Sequence, residues 1–139
     1  MSSIILRTAT RYMFPPLLVF SVYLLMRGHH FPGGGFVGGL FAGSAFALYA
    51  LAFDVATARR VLRTDPLGIT SAGLALAMCS GIPALVCGQP FMTGVWWDIP
   101  AGHGTSIHFG TPVLFDIGVY LVVFGVLLSL IFSLGEEER

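Results

Sequence analysis

Three long stretches without a charged residue place the strongest constraint on this chain. They cover residues 28–53, 66–97 and 117–135, and each exceeds the ~18 residues that indicate a membrane span. Of the 139 residues, 55% are hydrophobic and only 10% are charged, whereas a soluble domain carries about 25% charged residues. The sequence therefore predicts an integral membrane protein. It argues against a soluble enzyme, and against a nucleic-acid binder, which would need a basic surface.

The chain is long enough for about four membrane-spanning helices in a single domain, residues 1–139, and the predicted fold class is an all-α integral membrane protein. The predicted spans cover residues 12–27, 32–56, 67–88 and 112–134, and an external loop rich in Gly, Pro and aromatic residues covers residues 89–110. Gly81 and Pro83 predict an interruption of the third helix, because proline removes a backbone donor.

The distribution of arginines predicts the orientation. An even number of spans puts both termini on one side of the membrane, and arginine favours the cytoplasmic side. Only Arg27 falls on the opposite side. The arginines that share the side of the termini are Arg7, Arg11, Arg59, Arg60, Arg63 and Arg139. We therefore expect both termini to be cytoplasmic.

A glycine-rich segment opens the second predicted span. Gly33, Gly35 and Gly38 match the spacing of a dinucleotide-binding loop, but the strand that should precede such a loop is missing. Small residues at a spacing of four instead share one helical face, and such strips let helices approach closely in lipid. The strip consists of Gly35, Gly39, Gly43 and Ala47. It predicts close helix packing, and the pattern leaves open whether the partner helix belongs to this chain or to another subunit.

Asp116 is the acidic residue that falls inside a predicted span. It lies about 6 Å along the helix from Pro112 and precedes an uncharged apolar run. An acid at such a position is costly in lipid and is typical of an ion or proton path. So close to a helix N-terminus, it can equally cap backbone amides and interact with the helix dipole. Asp116 is therefore a candidate for the ion path, and both interpretations stay open.

A second acid, Asp54, closes the second predicted span. Arg59 and Arg60 follow within two helical turns, so the three residues are expected to form an ion pair at the cytoplasmic interface.

No catalytic or metal-binding arrangement is recognisable. The sequence has no nucleophile–base–acid set, no P-loop and no metalloprotease motif, so neither an enzymatic activity nor a cofactor is predicted. Four histidines fall in the predicted external segments, without the spacing of metal ligands. They are His29, His30, His103 and His108.

Several motifs, in the same order along the chain, resemble the MnhB/MrpB subunit of bacterial multisubunit sodium/proton antiporters. They are GHHFPGGGFVGGL at 28–40, LAFD at 51–54, PFMT at 90–93, LFDIGVYLVV at 114–123 and GEE at 135–137. The resemblance covers nearly the whole chain. Its motif residues in the second span are His29, Pro32, Gly33, Gly34, Gly35, Phe36, Gly38 and Gly39.

The resemblance implies a small accessory subunit in the bacterial cell membrane, within a hetero-oligomeric complex that exchanges sodium for protons. Large antiporter-like subunits would then carry the pumping chemistry, with several small membrane subunits around them. The family's functionally important proline and phenylalanine correspond to Pro32 and Phe36. Where the family often has a polar residue and an acid, this chain has His30 and Phe31. The alternative from a different class is a stand-alone structural or lipid-interacting membrane protein without transport activity.

Overall fold

In a computed structural model of the chain, the described residues are 4–27, 34–86, 88, 96–100 and 106–137. They form six helices and one pair of strands, in the order α1 (Ile4–Arg27), α2 (Gly34–Ala52), α3 (Val55–Leu62), α4 (Pro66–Cys79), α5 (Ile82–Val86), β1 (Trp96–Pro100), β2 (Ser106–Gly110) and α6 (Thr111–Glu137). Among these residues, three helices are long and apolar enough to cross a membrane, namely α1, α2 and α6, and α4 is a shorter apolar helix. The prediction of an all-α membrane protein with about four spans is confirmed.

The second predicted span ends earlier than expected. Helix α2 stops at Ala52, and Asp54 begins the separate helix α3 by accepting a hydrogen bond from the Thr57 amide at 2.6 Å. An aspartate at this position satisfies one of the amides that every helix N-terminus leaves unpaired. Apolar residues resume after Asp54, at Val55 and Ala56, and hydrophobicity alone therefore placed the end of the span inside α3.

The third predicted span is an interrupted helix. Helix α4 begins at Pro66, after the N-cap Asp65, and ends at Cys79. At 1.5 Å per residue it is about 20 Å long, shorter than the ~30 Å hydrocarbon core. Ser80 and Gly81 form a turn before the five residues of α5. The break coincides with Gly81 and Pro83, the residues that predict it.

Part of the external segment is a β-hairpin, where the sequence analysis predicted only a loop. Strands β1 and β2 pair antiparallel, from Trp96 opposite Gly110 to Pro100 opposite Ser106. Aromatic and β-branched residues favour extended backbone, and the ladder of backbone hydrogen bonds satisfies the polar groups that a loop would expose. Because β2 runs directly into α6, the hairpin sits at the N-terminus of that helix.

Helix α6 is the centre of the bundle. It packs against α4 on one side and α2 on the other, and α1 covers the far side of α2. Phe46 of α2, Ala58 of α3, and Leu128 and Phe132 of α6 form the buried core. The Phe14 ring of α1 joins this core at 5.0 Å from Phe46, in an edge-to-face arrangement. The four longest helices therefore form a row, α1–α2–α6–α4.

One end of this row collects the arginines. The Arg7 Nε of α1 donates to the Ala52 carbonyl at the end of α2, 3.3 Å away, and the Arg7 and Arg11 guanidinium carbons lie 5.7 and 5.9 Å from the centre of the Phe53 ring. Helix α3 and the end of α6 meet at the same end. The arginine distribution therefore coincides with one face of the fold, which the positive-inside rule assigns to the cytoplasm.

Glycine contacts hold α4 against α6. A Cβ atom at Gly118 would lie 2.7 Å from both the Ala77 amide nitrogen and the Gly73 carbonyl oxygen. A Cβ atom at Gly125 would lie 2.8 Å from the Pro66 carbonyl oxygen and would also collide with the Thr70 hydroxyl. At these points the two backbones touch, and the fit has no room for a methyl group.

We expect Gly118→Ala to lower the free energy of unfolding by about 1–3 kcal/mol, the usual cost of inserting one methyl group into a filled interface. Thermal unfolding of the purified protein in mild detergent measures the effect. Gly68→Ala on α4 is the matched control, because a Cβ atom there meets nothing closer than the Asp65 Cβ at 4.0 Å. Equal unfolding midpoints for the two variants would contradict the close-contact interpretation.

Candidate helix-packing and ion-path site

Asp116 lies near the start of α6, where α2 comes closest. The side chain is half-buried, and its carbonyl oxygen occupies the position that a Cβ atom on Gly35 would need. Gly35 is itself buried. The absence of a side chain at Gly35 therefore lets the first turn of α2 lie directly against the backbone of the membrane-embedded acid.

A pair of hydroxyl groups follows one helical turn further along α6. The Tyr120 Oη lies 2.9 Å from the Ser21 Oγ of α1, and Ser21 is fully buried. Ser21 has a single hydroxyl proton, which it donates to the Leu18 carbonyl at 2.6 Å. Tyr120 is therefore the donor in the pair, and this hydrogen bond connects α1 to α6.

Gly38 sits where these three helices meet. A Cβ atom there would lie 2.8 Å from the Ser21 carbonyl oxygen and 3.1 Å from the Tyr120 ring. The glycine thus lets the tyrosine ring pass across α2 and place its hydroxyl group against α1. Asp116 and Tyr120, four residues apart, lie on the face of α6 that packs against α2.

The small-residue strip of α2 continues along the same face. A Cβ atom at Gly39 would lie 2.9 Å from both the Tyr120 carbonyl oxygen and the Val123 Cβ, and one at Gly43 would overlap the Leu127 side chain. Ala47, the last member of the strip, lines an apolar cavity of about 460 Å³ between the ends of α2 and α6. The three glycines of the strip therefore pack within the chain, against α6, which answers the question that the sequence left open.

The family motif lies only partly within the described structure. Gly34, Gly35, Phe36, Gly38 and Gly39 belong to the first turns of α2. The Phe36 side chain is 51% exposed. His29, His30, Pro32, Gly33 and His103 lie outside the described residues, and His108 is described only as a backbone position in β2.

At the cytoplasmic end, Asp54 acts as the N-cap of α3. The Arg59 Nε donates to Glu136 Oε1 of α6 at 2.8 Å, and the guanidinium carbon lies 4.9 Å from the centre of the Phe132 ring. The Arg60 Nη2 donates to the Thr57 hydroxyl at 3.3 Å. Asp54, Arg59 and Arg60 thus share one short helix, and the carboxylate that pairs with Arg59 comes from α6, a contact that the sequence analysis did not predict.

Two further findings concern residues that the sequence analysis missed or left without a role. Gly73, Gly118 and Gly125 form the α4–α6 contact. The seven-residue spacing of Gly118 and Gly125, which puts them on one helical face, is the sequence signal that could have predicted it.

Among the described residues, no group of three or more His, Cys, Asp or Glu side chains is arranged to hold a metal ion.

Comparison with known proteins relates this geometry to a family. The family described as "Domain related to MnhB subunit of Na+/H+ antiporter" matches residues 5–129. A Na(+)/H(+) antiporter subunit from Bacillus subtilis is 41% identical over 139 residues, covering 99% of this chain and 96% of the relative. The corresponding antiporter subunit from Alkalihalophilus pseudofirmus is 36% identical, covering 99% and 95%.

A solved structure agrees with these relatives. One chain of the Mrp complex from a Dietzia species superposes with a TM-score of 0.80 at 34% identity, over 98% of this chain. The match spans 14% of that longer chain, about a seventh of its length. On the evidence of the family match, the full-length relatives and the shared fold, this chain belongs to the family of MnhB-related subunits of Na+/H+ antiporters.

Proposed function

We propose that this chain is an accessory membrane subunit of a multisubunit sodium/proton antiporter, held in the bacterial plasma membrane by about four helices. The observation that carries the proposal is the full-length similarity to the Bacillus subtilis antiporter subunit, 41% identical over 99% of the chain. It works with other subunits, large antiporter-like ones and several small ones, and sodium ions and protons are the cargo of the whole complex. Its role is in transport, by secondary antiport, and not in enzymatic catalysis.

The packing of the chain supports an accessory role. Alternating access requires two bundles or repeats that move around a central binding site. Here α1, α2, α6 and α4 lie in a row with close backbone contacts between neighbours, an arrangement different from two bundles around a central site. The exposed outer faces are apolar, as with Val19 and Leu51, whose side chains are 70% and 73% exposed. Such faces suit lipid or the helices of other subunits.

Within this subunit, Asp116 is the proposed contact with the transported ion or proton. An acid inside a membrane helix usually faces protein or a wet path, and Asp116 is half-buried at the α2–α6 contact. Because α6 begins on the external side in the predicted orientation, the carboxyl group lies near the external end of the membrane. The Tyr120–Ser21 hydroxyl pair comes next along the helix, toward the cytoplasm.

The proposal predicts that this chain forms a stable complex with other subunits. Purification of the chain under mild detergent should recover it with two much larger many-span subunits and several small ones. Mass spectrometric identification of the co-purifying chains is the measurement. The stand-alone alternative predicts a monomer or homo-oligomer, so recovery of this chain alone at full yield would reject the antiporter assignment.

Replacing Asp116 by asparagine should reduce sodium-dependent proton exchange by about tenfold or more, a change of ~1.4 kcal/mol in the barrier. The amide keeps the size and hydrogen-bonding capacity of the side chain but cannot carry a charge or release a proton in the same way. Exchange is followed in membrane vesicles by a pH-sensitive dye after a sodium pulse.

Asp54→Asn is the matched control for this experiment, because it makes the same chemical change at an N-cap outside the spans and should leave exchange nearly unchanged. Quantification of the assembled complex separates a transport defect from an assembly defect. Normal exchange by an intact complex carrying Asp116→Asn would leave the family assignment standing and remove Asp116 from the ion path.

A further inference from the structure

Helix α3 has two chemically different faces at the cytoplasmic end of the bundle. Ala58 is fully buried against Leu128 and Phe132, and Val55 and Leu62 pack on the same core. The opposite face carries Thr57, Arg60 and Val61, at a spacing of three and four residues. This face points away from the bundle, because the other one is anchored in its core.

The three arginines of this region differ in their surroundings. Arg59 is neutralised by Glu136 of α6 and stacks over the Phe132 ring. Arg60 and Arg63 are exposed, and among the described residues no carboxylate forms an ion pair with either of them. The guanidinium groups of Arg60 and Arg63 are therefore exposed and not balanced by a carboxylate in the described part of the chain.

Both of these arginines line a single groove. Thr57, Arg60, Val61 and Arg63 line a shallow, open surface groove of about 570 Å³, beside which the Arg60 Nη2 donates to the Thr57 hydroxyl at 3.3 Å. Arg63 has a left-handed backbone, with φ at 65°, and its amide closes α3 by donating to the Arg59 carbonyl at 3.0 Å. Arg63 follows Arg60 by three residues, so the two side chains start on the same side of the helix end, and both line the same groove.

We propose that this groove binds the phosphate group of an anionic phospholipid from the cytoplasmic leaflet. Guanidinium groups match phosphate oxygens through paired charge-assisted hydrogen bonds, and the Thr57 hydroxyl adds a further polar group. Val61, 40% exposed between the charged groups, offers an apolar contact for the glycerol and upper acyl region. The arginine-rich face of the protein lies at the leaflet whose negative potential attracts such groups.

This site is independent of the ion path, because it lies at the opposite end of α6 from Asp116. It also requires no particular transported cation. A failure of lipid binding would therefore leave the proposed antiport function intact, and the reverse holds as well.

The test uses the purified complex that contains this chain, in phosphatidylcholine vesicles doped with a photoactivatable phosphatidylglycerol. After illumination, the mass of the denatured chain reports the fraction labelled. In the double variant Arg60→Gln/Arg63→Gln, the phosphatidylglycerol concentration for half-maximal labelling should rise about 25-fold, since each arginine near an anionic surface contributes roughly fivefold. Unlabelled phosphatidylglycerol should compete, and phosphatidylcholine or inorganic phosphate should not.

Two matched variants complete the design. Arg60→Lys/Arg63→Lys keeps both charges and should stay within about fivefold of the native chain, and Arg27→Gln removes an arginine from the external end of α1 and should change nothing. Unchanged half-maximal labelling in the glutamine variant overturns the proposal, as does equal competition by phosphatidylcholine. Competition by inorganic phosphate would assign the groove to a soluble anion. Loss of another subunit from the glutamine variant, with lipid labelling unchanged, would assign it to an acidic protein partner.

Discussion

Direct backbone contact between helices is the interaction on which the rest of this structure depends. In lipid, apolar side chains gain little by leaving the solvent, so helices associate mainly through close van der Waals packing. Helix α6 achieves this packing on two sides. Its Gly118 and Gly125 meet α4, whereas the glycines of α2 meet the backbone and side chains around Tyr120. At the contact with α4, α6 itself supplies small residues, and at the contact with α2 the small residues belong to α2. Both contacts are therefore close, and α6 can serve as the centre of the row.

The polar groups inside the membrane depend on that packing. Gly35 lets the Asp116 backbone lie against α2, and Gly38 lets the Tyr120 ring cross toward α1. Without these gaps the Tyr120 hydroxyl would not reach Ser21, 2.9 Å away. A buried hydroxyl pair is worth only ~0.6 kcal/mol between membrane helices. Its significance is thus more geometric than energetic: it aligns α1, α2 and α6 next to the embedded acid.

At the cytoplasmic end, charged side chains connect the helices, whereas inside the membrane small residues allow them to pack closely. Arg7 caps the end of α2, Asp54 caps the start of α3, and Arg59 ties α3 to Glu136 at the end of α6. These contacts are exposed to different degrees. Surface ion pairs contribute at most about 1 kcal/mol, and the buried apolar face of α3, centred on Ala58, anchors it more firmly than its charges do.

Much of this fold follows from the sequence alone. Uncharged runs identify the spans because charge is costly in lipid, and the arginines identify the cytoplasmic face because the translocation of positive charge is disfavoured. The four-residue spacing of Gly35, Gly39 and Gly43 predicted a packing face, and ordered motifs from Gly28 to Glu137 indicated the antiporter subunit family, which the full-length relatives confirmed. All of these features can be predicted from the composition and the spacing of residues within short segments of the chain.

Only the tertiary structure decided which helix the glycine face meets. Periodicity describes one helix at a time, whereas a contact is a property of two, and so the pairing of α2 with α6 was open until both were placed. The same reason explains the missed contact of Gly118 with Gly73, the pairing of Arg59 with Glu136 and the early end of α2 at Ala52. In each case a residue distant in sequence, or a cap that competes with hydrophobicity, determines the outcome.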